Sequence, residues 1–197
     1  MHLTGISGSP RRRDILEAAL YCFVNKGYAA TTIDEVRVSS GASIGSIYHH
    51  FGSKEQLAGE LYIEGLKLYQ TGFIQSLKAA LHARSGVRSM VTFHLDWVAE
   101  NPDLARFLLE EREPEVVLAT AAPLRELNKT LFLEVRTWLD EQIEEGPIRP
   151  LPYDIFYATV MGPAIEFTRN WLEGRTTSPL EEARDVLGDS AWEAVKA

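Results

Sequence analysis

The side chains best placed to do chemistry fall in one short run, Ser43-Ile44-Gly45-Ser46-Ile47-Tyr48-His49-His50-Phe51. Hydroxyls, a phenol and imidazoles at this density offer hydrogen bonds to base edges or phosphates, and Gly45 leaves the backbone bare for a close approach. The two adjacent imidazoles diverge by about 100° on a helix, so they do not chelate one ion. Elsewhere the catalytic motifs are missing. Gly52-Ser53-Lys54 lacks the upstream glycine and strand of a phosphate loop, and there is no H-E-x-x-H or Cys/His metal spacing. Glu110, Glu111, Glu113 and Glu115 read as a solvated charge run. An all-helical enzyme, with His94 or Glu166 as its reactive group, is a distant alternative. The expectation is a chain with no catalytic residue, metal or cofactor.

A net charge of −8 over 197 residues argues at first against a partner of nucleic acid. The distribution changes that. Residues 1–54 hold six bases (Arg11, Arg12, Arg13, Lys26, Arg37, Lys54) and four acids (Asp14, Glu17, Asp34, Glu35), a local balance of +2. The basic end is the end that would touch DNA. Arg11, Arg12 and Arg13 are candidates to follow the backbone or enter the minor groove. The single cysteine, Cys22, excludes an internal disulfide, and its neighbours Leu20, Phe23 and Val24 suggest a buried thiol. No apolar run reaches the roughly 18 residues of a membrane helix. Met1–Pro10 lacks the apolar core of a signal peptide. A cytoplasmic protein with a disordered leader over 1–10 is expected.

Helices must position these groups, and the sequence punctuates them clearly. Ile15, Leu16, Ala19, Leu20 and Phe23 line one face of a first helix that Gly27 ends. Thr32-x-x-Glu35 is a capping box for a short second helix. Ser39-Ser40-Gly41 makes a tight connection, and Ser43 caps a third helix to about His50. Ser53-x-x-Gln56 opens a fourth, expected to run through Leu81. Val87, Met90, Val91, His94, Trp97 and Val98 form a further stripe. Asn101-Pro102-Asp103 starts the next helix. Later helices are expected over about Pro123–Glu145 and Pro152–Leu172, with Ser178-Pro179-x-Glu181 capping the last. The sum is about nine helices and no strand. Two short helices joined by a glycine turn are the pattern of a helix-turn-helix, whose second member enters the major groove.

Gly27-Tyr28, Thr31-Thr32-Ile33, the run Ser40–Phe51 and Ser53-Lys54-Glu55-Gln56-Leu57 together resemble the DNA-binding domain of the TetR family of transcription regulators, over about Arg12–Leu61. Ala42 departs from the pattern, which often has valine there. The resemblance implies an all-α fold: an N-terminal three-helix helix-turn-helix domain (11–61, motif 32–51), then a helical ligand-binding and dimerisation domain (62–197). It implies a repressor that binds a palindromic operator as a homodimer and is released by a small molecule. Tyr48 and His49 match the family's phosphate-contacting pair. Ser43 and Gly45 begin the recognition helix. Ile44 could touch a thymine methyl, and Ser46 a base edge or phosphate. Thr32 and Lys54 stand at helix starts, where free N–H groups attract phosphate. Ile47 and Phe51 should face the core.

The acidic remainder is far less specific. Trp97-Val98-x-x-Asn101-Pro102-Asp103-x-Ala105-x-Phe107 looks like one common subgroup and does not name a ligand. Candidate ligand contacts are Phe93, His94, Trp97, Phe107, Trp138, Tyr157, Met161 and Glu166, with Phe132 and Trp171 as further aromatics. For any one of them plain core packing is the commoner role. The effector they imply is a largely apolar small molecule. Small residues at Ala158, Gly162 and Ala164 among Phe156, Val160, Phe167 and Trp171 mark the dimer helix, paired with the last one. A DNA-binding regulator with no small ligand stays open.

Overall fold

The computed structural model describes residues 5–109 and 113–197, so Glu110 and Glu111 lie outside the described residues. Nine helices are found among them: α1 (Pro10–Lys26), α2 (Ile33–Ser40), α3 (Ile44–Phe51), α4 (Lys54–Lys78), α5 (Ala83–Glu100), α6 (Pro102–Leu109), α7 (Pro114–Glu144), α8 (Tyr153–Leu172) and α9 (Leu180–Val195). The only extended pairing among the described residues is one antiparallel bridge, Ile148 with Lys196. No described helix is long and apolar enough to cross a membrane.

The chain forms two compact units. The first comprises residues 1–68 and 103–127. Its core is the α1 face read from sequence, with Ile15, Leu16, Ala19, Leu20 and Phe23 buried beside Val36, Ile47, Phe51, Leu57 and Leu61. Phe107 of α6 stacks on Phe23, ring centroids 5.8 Å apart. Gly65 of α4 lets Leu104 close in: a Cβ there would stand 2.8 Å from its Cδ1.

The second unit comprises residues 69–102 and 128–197. Its core joins Phe73, Leu77, Val87, Met90, Val91, Leu95, Val135, Leu139, Phe156, Val160 and Met161. Helix α9 packs on α5 where Gly188 faces Arg88 and Thr92. Ion pairs tie the same two helices, Arg84 and Arg88 with Asp189, and Arg184 with Asp96. The last residues clasp the α7–α8 loop, with Arg149 N–H on the Val195 carbonyl and Ala197 N–H on that of Pro147, both 3.1 Å.

Several sequence expectations need correction. The leader is placed from Gly5, with Ile6 buried and Ser9 capping α1 through the Arg12 N–H (3.2 Å); residues 1–4 lie outside the described ones. Helix α7 begins at Pro114, not Pro123, which sits inside it. The buried pair Val116 and Thr120, one turn apart, holds the earlier segment in register, and the Thr120 hydroxyl donates to the Val116 carbonyl. Helix α4 stops at Lys78 and leaves Leu81 exposed. Ser178 makes no cap, since Pro179 occupies the N-cap of α9 without a side-chain bond. His82 and Ser85 form an unforeseen reciprocal cap on α5: His82 Nδ1 accepts from Ser85 N–H and Ser85 Oγ from His82 N–H, both 3.1 Å.

Candidate nucleic-acid interface and effector region

The first unit builds its reading head from caps outward. Thr32 Oγ1 accepts from the Glu35 N–H (3.3 Å), and the Glu35 carboxylate accepts from the Thr32 N–H (2.9 Å). Lys26 also donates to Glu35. That hydrogen bond, then the Thr32 N–H, lowers the Glu35 pKa to about 2. The start of α2 thus carries a carboxylate already, and a DNA phosphate at Thr32 has to share it. The turn closes at Gly41, which adopts φ +63°. Ala42 is buried beneath the turn, and Ser43 Oγ caps α3 through the Ser46 N–H (3.1 Å).

Helix α3 is two-faced. Ile47 and Phe51, one turn apart, are buried. Ile44 and Tyr48, also one turn apart, are 46% and 48% exposed, with Gly45 and His49 exposed beside them. A Cβ on Gly45 would meet nothing nearer than Ser43 Oγ at 4.0 Å, so no packing inside the protein requires this glycine. Ser46 is half-buried. An exposed isoleucine and tyrosine flanking bare backbone suit a partner surface.

The basic side chains differ in what they are free to do. Arg11 is exposed, near Asp14 (3.7 Å) and the Ser40 carbonyl (3.4 Å). Arg13 makes no ion pair among the described residues. Lys54 lies over the Tyr28 ring (4.3 Å to its centroid) and reaches the Ala29 carbonyl (3.3 Å), fixing the start of α4 against the loop before α2. Desolvation, then Glu55, raises the Tyr28 phenol to about 12. Arg12 is held away from the surface by Glu60 (2.5 Å) and the Ser7 carbonyl (2.7 Å), against the expectation that it meets DNA. Thr31 is buried, its hydroxyl placed between the carbonyls of Cys22 (3.1 Å) and Gly27 (2.9 Å).

In the second unit His94 is the centre of a closed polar chain. Tyr69 Oη lies 2.9 Å from His94 Nδ1, and His94 Nε2 lies 2.9 Å from Thr168 Oγ1. The Thr168 hydroxyl donates to the Ile165 carbonyl (3.0 Å), which uses its one proton. With the proton so placed, Nε2–H would face Thr168 and Nδ1 would accept from Tyr69; either tautomer leaves both ring nitrogens partnered. Burial lowers the His94 pKa to about 4, so the ring is neutral. This makes His94 a satisfied core histidine. The sequence reading placed it on a buried stripe but gave no sign of its partners on α4 and α8.

Two other candidates stand beside its partner Tyr69, and the rest are spread more widely. Phe93 and Trp97 lie 5.6 and 5.1 Å from Tyr69 by ring centroids. Tyr157 stacks on Tyr153 at 5.9 Å, and burial raises its phenol pKa. Met161 is fully buried. The Trp138 indole packs closely against Gly86 and walls a cleft of about 160 Å³ with Ile74, Leu77 and Thr137, rimmed by the Lys78–Glu134 ion pair (2.8 Å). Phe107 is not part of this group, because it belongs to the first unit against Phe23. Glu166 is exposed and accepts from Asn170 (2.8 Å). Of the expected dimer residues, Phe156 and Val160 are buried within the protomer core, so neither can face a second copy. Both sit one turn apart on the inner stripe of α8, which periodicity alone does not separate from the outer one. Gly162, Phe167 and Trp171 remain partly exposed.

A caged pair of short helices with an exposed second member defines a helix-turn-helix DNA-binding protein. Residues 15–61 match the sequence profile described as bacterial regulatory proteins, tetR family. The transcriptional repressor KstR2 of Mycolicibacterium smegmatis is 28% identical over 159 residues, 75% of this chain and 72% of that one. The repressor AcnR of Corynebacterium efficiens is 24% identical over 95% of both chains. The fold matches that of the transcriptional regulator FadR from Bacillus subtilis, solved with stearoyl-CoA, at TM-score 0.76 and 19% identity over 90% of this chain and 96% of that one. The N-terminal domain is thus a TetR-family DNA-binding domain, and the chain as a whole is similar to transcriptional repressors of that kind.

Proposed function

We propose that this regulator is a ligand-responsive repressor that grips a palindromic operator as a homodimer. Residues 11–61 form its DNA-binding domain and 62–197 its sensing and dimerising part. The outward face of α3 carries this reading: Ile44, Gly45, Tyr48 and His49 are presented together with no internal use for the bare Gly45 backbone. Ser43, Ser46, Thr32, Lys54, Arg11 and Arg13 are the supporting polar and basic contacts. The effector is a largely apolar molecule received among Phe93, Trp97, Trp138 and Tyr157, and the stearoyl-CoA held by FadR sets a precedent. Its binding would bias the protein towards a state in which the paired α3 helices no longer match the groove spacing.

The test is salt-dependent binding of the purified chain to DNA upstream of its own and neighbouring genes, with and without cell extract as a source of effector. Loss of binding on adding extract supports the full reading. No binding under either condition sinks it. A regulator without a small ligand is the second reading, favoured by one observation: the Tyr69–His94–Thr168 chain is complete without any guest. Thermal-shift screening separates the two, since a ligand at 100 times its dissociation constant adds about 2.7 kcal/mol.

A further inference from the structure

Arg12 sits between two arginines on the exposed start of α1, yet it is used quite differently from either. Its guanidinium donates through Nη2 to Glu60 (2.5 Å), with Glu64 at 3.7 Å, and through Nη1 to the Ser7 carbonyl (2.7 Å). The same guanidinium carbon lies 5.7 Å from the centroid of Phe51, the buried last residue of α3. One side chain, only 17% exposed, thus meets the leader, α3 and α4.

The leader is shaped to allow this. Gly8 has φ +115°, and a Cβ there would stand 2.9 Å from Arg12 Cδ. Gly5 has φ +101° and would collide with Leu68 Cδ2 at 2.8 Å. Between them Ile6 is buried and the Ser7 hydroxyl donates to Glu64 (3.2 Å). Gly5–Ser9 is therefore a fitted strap along α4, and Arg12 is its rivet.

We propose that Arg12 is a positioning residue that fixes the end of the recognition helix on α4 through the strap, and that it does not contact DNA. To reach a phosphate it would have to leave two carboxylates and a carbonyl, and Glu60 and Glu64 would repel that phosphate. A lysine cannot replace it, because a point charge lacks the fork that meets Glu60 and Ser7 in different directions. The inference rests on the DNA-binding reading above.

The experiment uses the full chain and a duplex that the wild type selects from a random-sequence pool. Affinity is measured over a series of KCl concentrations for that duplex and for one with a single inner base pair changed. The wild type should discriminate between them by about tenfold or more. Arg12→Ala should bring that ratio towards one and leave the salt slope unchanged. Gly8→Ala, which alters no charge, should do the same, and Arg12→Lys should not restore the ratio. Partial unfolding would lower both affinities together and preserve the ratio, so it cannot imitate this result. A slope reduced by about 1.8, as when each half of a dimer neutralises one phosphate fewer, would overturn the proposal. So would full rescue by Arg12→Lys, or a Gly8→Ala protein that discriminates normally. A wild type that selects no duplex removes the DNA-binding reading itself, before any variant is compared.

Discussion

His94 Nε2 lies 2.9 Å from Thr168 Oγ1, a hydrogen bond that ties a ring buried in the second unit to α8. The folded protein keeps the ring neutral down to about pH 4. The unfolded chain takes up its proton near pH 6.5. Between those values the unfolded state binds the extra proton, so stability falls as the pH drops, by up to about 3 kcal/mol below pH 4. Urea titrations through this window should show the fall, and His94→Leu should remove His94's share of it. That variant should also lose about 1–3 kcal/mol at pH 7, because the Tyr69 and Thr168 hydroxyls each lose a partner. A wild type with flat stability between pH 6.5 and 4 would show that the ring is not held neutral.

Gly45 separates folding from DNA binding. A Cβ at this position finds open space inside the protein. Alanine in place of a helical glycine stabilises by roughly 0.5–1 kcal/mol. Gly45→Ala should therefore melt at or above the wild-type temperature while binding the selected duplex more weakly. Thermal melting and fluorescence anisotropy on the same sample check both halves. Undiminished affinity would remove α3 from the DNA surface.

The reading head was legible because its signals are local. Caps at Thr32 and Ser43, the turn at Gly41 and the alternation of Ile44, Ile47, Tyr48 and Phe51 all lie within 20 residues, and helical periodicity converts them directly into faces. The second unit resists this. Tyr69, His94 and Thr168 sit on three helices, and no spacing in the chain announces that they meet. Phe107 belongs to a plausible aromatic set by type but packs on Phe23. The partners of Arg12 were hidden for the same reason: an Arg-Arg-Arg run reads as a uniform basic arm until Glu60, Glu64 and a folded-back leader single out its middle member.

Gly86 should behave oppositely to Gly45, although both are helical. The Trp138 indole lies against its backbone, with Cζ2 well inside contact distance of a would-be Cβ. The propensity gain is then outweighed by overpacking, which costs about 1–3 kcal/mol. Gly86→Ala should lower the melting temperature, and Trp138 fluorescence should change as the ring is displaced. An unaltered midpoint and spectrum would mean that the indole has a second resting place.

Gly162 offers a matching test of the dimer. It lies on α8 opposite the buried Phe156, Val160 and Ala164, and nothing in its own protomer approaches within 4 Å of a Cβ. Gly162→Arg should leave the isolated fold intact and place a charged side chain where two copies are proposed to meet. Sedimentation should then show monomers with native helix content, and operator affinity should collapse, because each half-site alone supplies only half the phosphate contacts. Phe156→Ala should instead cost about 3–5 kcal/mol of stability through a core cavity, with any change of assembly secondary to unfolding. A Gly162→Arg protein that sediments as a dimer would move the interface off this face of α8.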